Sequence, residues 1–367
     1  MAYEPNVPVI PYQGHVQPLS ERTGSAPDRD AADAVVTPPV RFGALGTSSI
    51  AWRRVLPAMA GCPETELVAV AGRSPERAQR FADRFGCAAS SYEALLERDD
   101  IDAVYVSLPP ALHAEWAAKA LRAGRHVLVE KPMGTTAAEA REVVALAEDR
   151  GLVLRENFMF QHHPQHDAVA ALVAEGRLGG LRSFRSVFCF PPLPSQDIRY
   201  VPGLGGGALL DAGVYPLRAA RMLLGPGLRV AGATTRVRRS DGLDLSGQAL
   251  LVSPSGVLAS VEFGFEHAYG SSYCLWGDRA KVTVDRVFTP PAGYQPVLLL
   301  EEQDHTEQFT LPAADQLGRC LAGFAAAVVA GGAATGPREA QWREDAVATM
   351  QLVDAIRAQA VPVTVDE

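Results

Sequence analysis

The sequence predicts an α/β chain in two parts: a doubly wound parallel domain at the N-terminal end, then an α+β domain with a large, mostly antiparallel open sheet. Three observations predict this. Between residues 41 and 150, short apolar runs alternate with helical stretches. A glycine, Gly46, separates the first run from the first helical stretch. After about residue 157, strand-like runs follow one another with few helices between them. Alternating strands and helices imply βαβ units and a parallel sheet; consecutive strands imply antiparallel pairing.

The elements follow in order. The apolar run 42–46 reads as a strand and 51–60 as a helix. Residues 67–71 form a second strand, and 75–85 a helix with Ser74 as N-cap and Pro75 at its first position. A short helix over 92–97 precedes a strand over 103–107, a helix over 111–123 closed by Gly124, a strand over 126–129 and a helix over 135–150 closed by Gly151. Strands are then expected at 183–190, 229–237, 248–251, 257–265, 272–276, 280–284 and 297–302, with closing helices over 317–329 and 342–359. Residues 1–40 are rich in Pro, Ser, Asp and Gly without apolar period and read as a flexible leader. The dinucleotide-type domain is expected over 41–157 and the sheet domain over 158–367.

Composition narrows the function classes. A chain of 367 residues, 47% apolar and 21% charged, has room for two globular domains. The net charge of −8 and the lack of any basic block of five residues argue against a nucleic-acid surface. Five scattered cysteines without a C-x-x-C pair argue against a disulfide framework or structural zinc, and make a reducing cytoplasmic setting natural. No run of 18 apolar residues is present, so no membrane span is expected, and the N-terminus lacks a signal-peptide pattern.

The turn Gly46-Thr47-Ser48-Ser49-Ile50-Ala51 stands where a G-x-G-x-x-G/A fingerprint belongs, after the first strand and before the first helix. Gly46 suits the tight turn and Ala51 close packing, while Ser48 replaces the middle glycine and can hydrogen-bond a phosphate. Trp52 and Arg53 continue this segment. An ordinary βα turn is the plainer reading, but a full βαβ series favours a Rossmann cofactor site. After the second strand, Gly72-Arg73-Ser74 holds no acidic residue for a ribose 2′-hydroxyl; Arg73, with Arg53 and Arg77 near it in the fold, suits a 2′-phosphate instead. NADP(H) is therefore expected over NAD(H).

Only three lysines occur, and one, Lys131, follows an apolar strand in Glu130-Lys131-Pro132. Strand carboxyl ends carry the ligand crevice in such sheets, so Lys131 is expected beside the nicotinamide, where an ammonium can polarise a carbonyl or ease deprotonation of a tyrosine. A strand-end pair with Glu130 explains the spacing equally well.

The turn at Gly46–Ala51, Ser107-Leu108-Pro109-Pro110 with His113, Glu130-Lys131-Pro132, and the run from Gly205 through Asp211 to Tyr215-Pro216 together resemble the glucose–fructose oxidoreductase/inositol dehydrogenase (Gfo/Idh/MocA) family over nearly everything after Arg41. Ile50–Arg54, Glu156–Gln165, Asp197–Tyr200, Glu266–Tyr269 and Phe288–Pro291 with Tyr294 resemble its sugar-nucleotide 3-ketoreductases. That resemblance implies NADPH-dependent reduction at C3 of a dTDP-linked 3-keto or 3,4-diketo 2,6-dideoxyhexose in antibiotic-type deoxysugar biosynthesis. It implies Lys131 and Tyr215 as catalytic residues, Tyr215 standing where many relatives have histidine. Tyr215 alone reads equally as a packing residue before Pro216. Leu108, Pro109, His113, Glu130, Arg199 and Asp211 are expected around the cofactor, with Arg199 and Asp211 as an ion pair that lines the cleft or just holds the loop; Tyr215, Tyr269 and Thr289 are expected on the substrate. His113 reads equally as a surface residue at a helix start. His162, His163 and His166 invite a metal reading, but hydride transfer to a ketone needs none and no metal is expected. The competing functions are a dehydrogenase of free sugars or polyols and a non-catalytic dinucleotide-binding regulator. A homo-oligomer through the C-terminal sheet is expected.

Overall fold

The computed structural model describes residues 38–331 and 336–366. The leader expected over 1–40 lies, up to residue 37, outside the described residues; Val40 already opens the first strand.

Six strands form one parallel sheet: β1 (Val40–Leu45), β2 (Thr65–Ala71), β3 (Ala88–Ser90), β4 (Ala103–Val106), β5 (His126–Val129) and β6 (Leu154–Glu156). Their order is β3-β2-β1-β4-β5-β6. The chain reverses direction of travel across the sheet between β1 and β4, so the crevice for a ligand opens beyond the carboxyl ends of β1, β4 and β5. The helices on its two faces are α1 (Leu56–Ala60), α2 (Pro75–Phe85), α3 (Tyr92–Leu96), α4 (His113–Arg122) and α5 (Ala137–Asp149). The stretch expected as one helix over 51–60 begins with a π-helical turn, Ala51–Val55. Pro57 has no N–H to return to Arg53, so a regular first turn is not available there.

The second sheet has nine strands in the order β14-β13-β12-β11-β7-β10-β9-β8-β15. These are β7 (Leu181–Cys189), β8 (Arg229–Arg238), β9 (Asp244–Val252), β10 (Leu258–Gly264), β11 (Gly270–Gly277), β12 (Lys281–Asp285), β13 (Val297–Glu301), β14 (Thr306–Thr310) and β15 (Ala360–Val365). Only β10/β7 and β15/β8 pair in parallel, so the sheet is mostly antiparallel. Period-2 alternation sends Ala249, Leu251, Val261, Phe263, Tyr273 and Leu275 to a buried face, and leaves Leu250, Leu258 and Trp276 on the open one. Helix α6 (Gln165–Ala174) precedes β7, α7 (Val214–Leu224) lies between β7 and β8, and α8 (Gln316–Val329) and α9 (Pro337–Gln359) lie between β14 and β15. Helix α9 packs on both α5 and α7, so it joins the two sheets' layers. All five cysteines are free thiols. Among the described residues no helix is long and apolar enough to cross a membrane.

Candidate active site

The glycine turn is fixed by one close approach. Gly46 has φ +110°, and a Cβ there would lie 2.3 Å from the Ser107 carbonyl oxygen, so only glycine fits between β1 and β4. The Ser48 hydroxyl is engaged within the turn itself. Its Oγ accepts the Ala51 N–H at 3.1 Å and shares a short hydrogen bond with the Ser107 hydroxyl. It therefore caps the helix and ties the turn to the end of β4. A 330 Å3 cleft beside the turn is lined by Thr47, Ser48, Ser49, Trp52, Arg53, Arg77, Arg80 and Phe81. Trp52 stacks tilted on Phe81 at 4.7 Å, which holds α2 against the turn. Arg77 donates to the Thr47 carbonyl at 2.5 Å. Arg73 stands exposed beyond Gly72 and Ser74 caps α2, accepting the Arg77 N–H. The sequence pointed to Arg53 and Arg77; Arg80, one turn further along α2, was not anticipated. Three guanidinium groups around a turn of free N–H groups and a glycine that no side chain can replace fit the 2′-phosphate and diphosphate of NADP(H).

His113 opens α4 but is buried, its ring nitrogens each 2.7 Å from the carbonyl oxygens of Leu108 and Pro132. Burial lowers its pKa to about 4. It ties the loop after β4, which carries Leu108 and Pro109, to the loop after β5; a surface role is ruled out by this enclosure. The Glu130 carboxylate likewise points inward, accepting from Tyr105 Oη and Asn157 Nδ2 at 2.7 Å each. Burial raises its pKa against the opposing effect of these donors. The alternative pairing of Glu130 with Lys131 at the strand end is not the one formed.

Lys131 turns instead to the helical segment from the other half of the chain. Its Nζ donates to the Asp211 backbone carbonyl and to Asp211 Oδ1, both at 2.8 Å. Asp211 Oδ2 accepts from Arg199 Nε at 2.6 Å, and Arg199 also pairs with Asp197. Burial opposes ionisation of Asp211, but the charges of Lys131 and Arg199 outweigh it and hold its pKa at about 2. Asp211 lies in a second π-helical turn, Leu209–Gly213, that leads into α7. The turn is anchored from below by Asp244 Oδ2, which accepts the Leu209 N–H at 2.6 Å; burial raises the Asp244 pKa to about 6. Gly207, with φ +113°, lets the loop pass over that carboxylate.

Tyr215 sits on the first turn of α7, its ring packed against Phe188 at 4.7 Å and against Phe158 and Phe288 at 5.4 Å. Lys131 Nζ is 5.0 Å from its ring centre. Burial, with the negative charges of Glu130 and Asp211, pushes the phenol well above its ordinary pKa. The Lys131 ammonium lies over the ring, and burial is the largest influence on the phenol. Tyr269 and Thr289 come together at the rim, hydroxyl to hydroxyl at 2.9 Å. Arg286, which sequence reasoning missed, has φ +51° and reaches over Tyr269 and Tyr294 at 5.4 and 5.9 Å.

The three histidines face different partners. His162 stacks on Trp342 at 5.2 Å, His163 Nδ1 accepts the Gln165 N–H, and His166 Nδ1 meets Tyr273 Oη at 2.9 Å. Among the described residues no group of three or more metal-type ligands is assembled.

Comparison with known proteins agrees with this geometry. Residues 40–158 match the family model for an oxidoreductase family with an NAD-binding Rossmann fold, and residues 166–283 match the GFO/IDH/MocA C-terminal domain. The chain is 51% identical to a dTDP-3,4-didehydro-2,6-dideoxy-alpha-D-glucose 3-reductase of Actinomadura kijaniata over 323 residues, covering 88% of this chain and 96% of that protein. It is 51% identical to the protein of the same name from Saccharopolyspora spinosa over 321 residues, 87% of this chain and 96% of the relative. A crystal structure of a 3-ketoreductase from Actinomadura kijaniata in complex with NADP and TDP-benzene superposes with a TM-score of 0.85 at 51% identity, covering 89% of this chain and 99% of that one. With both halves matched and the site drawn from each, the chain belongs to the GFO/IDH/MocA family of oxidoreductases.

Proposed function

We propose that this protein reduces the C3 ketone of a dTDP-linked 3-keto or 3,4-diketo 2,6-dideoxyhexose, with NADPH as reductant, in deoxysugar biosynthesis. The observation that carries the reading is Lys131, set beyond the end of β5 in the crevice, gripped by Asp211 and lying over the Tyr215 ring. NADPH supplies the hydride when bound. The chain's own residues must orient the ketone and meet the negative charge that develops on its oxygen. Lys131 brings a positive charge and a proton on one atom. Tyr215, with its phenol pushed up by burial, gives up its proton less readily, so Lys131 is the stronger candidate to protonate the alkoxide and Tyr215 orients the sugar. The relative from Actinomadura kijaniata has been solved as lysine-to-alanine, lysine-to-glutamate and tyrosine-to-phenylalanine variants, which supports interest in these residue types.

The turn from Gly46 to Arg53, Gly72 to Ser74, Leu108, Pro109 and His113 surround the dinucleotide in this reading, and Arg53, Arg77 and Arg80 hold its 2′-phosphate. Tyr269 and Thr289 take the nucleotide end of the substrate through stacking and hydroxyl donation. A second copy of the chain covers the open face of the nine-stranded sheet, where Leu250 and Leu258 are 59% and 61% exposed. Five free thiols suit a cytoplasmic setting. The test of the activity is NADPH consumption against a panel of dTDP-keto-sugars and free sugars. Turnover confined to free sugars, or none with any dTDP-3-keto sugar, refutes it.

A further inference from the structure

The Lys131 segment and the Tyr215 helix are joined beneath the crevice by an enclosed ion pair. Glu156, at the end of β6, accepts the Met133 N–H on Oε1 at 2.6 Å. Its Oε2 accepts from Nη2 of Arg218, the two side chains being 2% and 1% exposed. Arg218 is three residues past Tyr215 on α7, and Met133 is two residues past Lys131. The guanidinium is satisfied on its other edges: Nε donates to Thr349 Oγ1 on α9 at 2.8 Å and Nη1 to Gln161 Oε1 at 3.3 Å. It also lies over the Phe158 ring at 4.4 Å, and that ring meets Tyr215 edge-on at 5.4 Å.

Stability alone is a poor explanation for such a pair. Removing two charges from water offsets most of their attraction, and replacing both partners by apolar residues is often neutral or stabilising. What the pair joins is more telling. One carboxylate binds the backbone just after Lys131 and the helix turn just after Tyr215, and these residues come from different sheets' layers. The Lys131–Asp211 contact is the upper tie, open to the crevice; Glu156–Arg218 is the lower one, sealed from it.

We propose that Glu156 and Arg218 are positioning residues that fix Lys131 against Tyr215 for carbonyl reduction. The inference rests on the reading of Lys131 as the group that meets the ketone oxygen. A small displacement of such a group costs rate more than binding.

The experiment uses the full chain with Glu156→Leu and Arg218→Met combined, which removes the tie without leaving a buried charge. Folding is followed by circular dichroism and melting, NADPH affinity by fluorescence titration, and kcat and KM with dTDP-3,4-didehydro-2,6-dideoxyglucose. The double variant is expected to fold and to bind NADPH within about threefold of the parent, while kcat falls by about tenfold or more, as a misplaced group predicts. A crystal structure of it should show the Lys131–Tyr215 separation moved from 5.0 Å. A folded double variant with the parent's kcat overturns the proposal, as does a loss of NADPH affinity as large as the loss of kcat. If the double variant does not fold, Arg218→Lys is measured in the same way. Lys131→Ala is the control: parent-like turnover in it breaks the reading of the site, whereas an inactive Lys131→Ala beside a fully active double variant breaks this inference alone.

Discussion

Lys131 Nζ holds Asp211 by two hydrogen bonds of 2.8 Å and at the same time lies 5.0 Å from the centre of the Tyr215 ring. The ammonium is thus aimed by a carboxylate and faces the ring. In the proposed reduction, charge at the reacting oxygen and orientation of the sugar would be divided between these two residues. Lys131→Ala removes both the charge and the proton source, and should lower kcat by about 10²–10⁴-fold. Tyr215→Phe removes only a hydroxyl that ionises reluctantly and should cost about tenfold or less. Single-turnover kinetics on both variants, with NADPH affinity measured separately, checks the order; a larger loss in Tyr215→Phe reverses the assignment.

Much of this arrangement was legible in the sequence, for local reasons. A glycine between a strand and a helix, and a lysine at the end of an apolar strand, are set by neighbours in the chain. The pair of Arg199 with Asp211 was also legible, because both sit in short motifs. What escaped was non-local or poorly patterned. Glu156 and Arg218 are 62 positions apart, and nothing in either neighbourhood announces the other. Strand β14, Thr306–Thr310, is too polar to read as a strand, and β15 carries Pro362, which demotes a run until its place at the sheet edge is known. Helix α6 buries His166 and Gln165 along with its apolar residues, so it lacks a clean amphipathic stripe.

The arginines at the cleft predict cofactor preference. Arg53, Arg77 and Arg80 line it, and no acidic residue does. A charge-assisted bond to the 2′-phosphate contributes about 1.5–3 kcal/mol, or roughly 10–100-fold in affinity. Arg53→Asp should therefore raise KM for NADPH by about tenfold or more while leaving NADH nearly unchanged. Arg73→Asp, which acts from the exposed edge, should move it in the same direction by less. The check is kcat/KM for both cofactors in parent and variants. Equal values in the parent would sink the argument for a 2′-phosphate site.

The Asp211 carboxylate predicts a pH-dependent stability difference. Its pKa is held at about 2 in the folded chain, with Lys131 and Arg199 overcoming the effect of burial. An unfolded aspartate titrates near 3.9, so the folded state favours the ionised form. The stabilisation is present above the unfolded value and is lost as pH falls from there through the folded one. Linkage puts it at about 2–3 kcal/mol at neutral pH. Asp211→Asn should therefore unfold at lower urea than the parent at pH 7, with the gap narrowing at pH 3. A gap that is the same at both pH values would show that the lost stability has another origin.

The phosphate turn separates two serine and glycine positions that a fingerprint treats alike. At Gly46 a Cβ would lie 2.3 Å from the Ser107 carbonyl oxygen on a backbone with φ +110°, so neither the neighbour nor the torsion can give way cheaply. Gly46→Ala must push β4 from β1 where the crevice opens, at a cost of about 2–4 kcal/mol from overpacking and the left-handed conformation together. NADPH affinity should fall with it, because the N–H groups of residues 47–50 are aimed by that turn. Ser48 is the reverse case. Its hydroxyl serves the Ala51 N–H and Ser107, and a glycine there merely uncaps the helix, at a few tenths of a kcal/mol for the cap. Ser48→Gly should thus keep NADPH affinity within about threefold while lowering the melting temperature slightly, as expected for the loss of one cap. Titration of NADPH into both variants decides the matter: a Gly46→Ala protein that binds like the parent would show that the close approach does not shape the cofactor site, and a Ser48→Gly protein that loses the cofactor would mean that the turn contacts the phosphates through the serine hydroxyl.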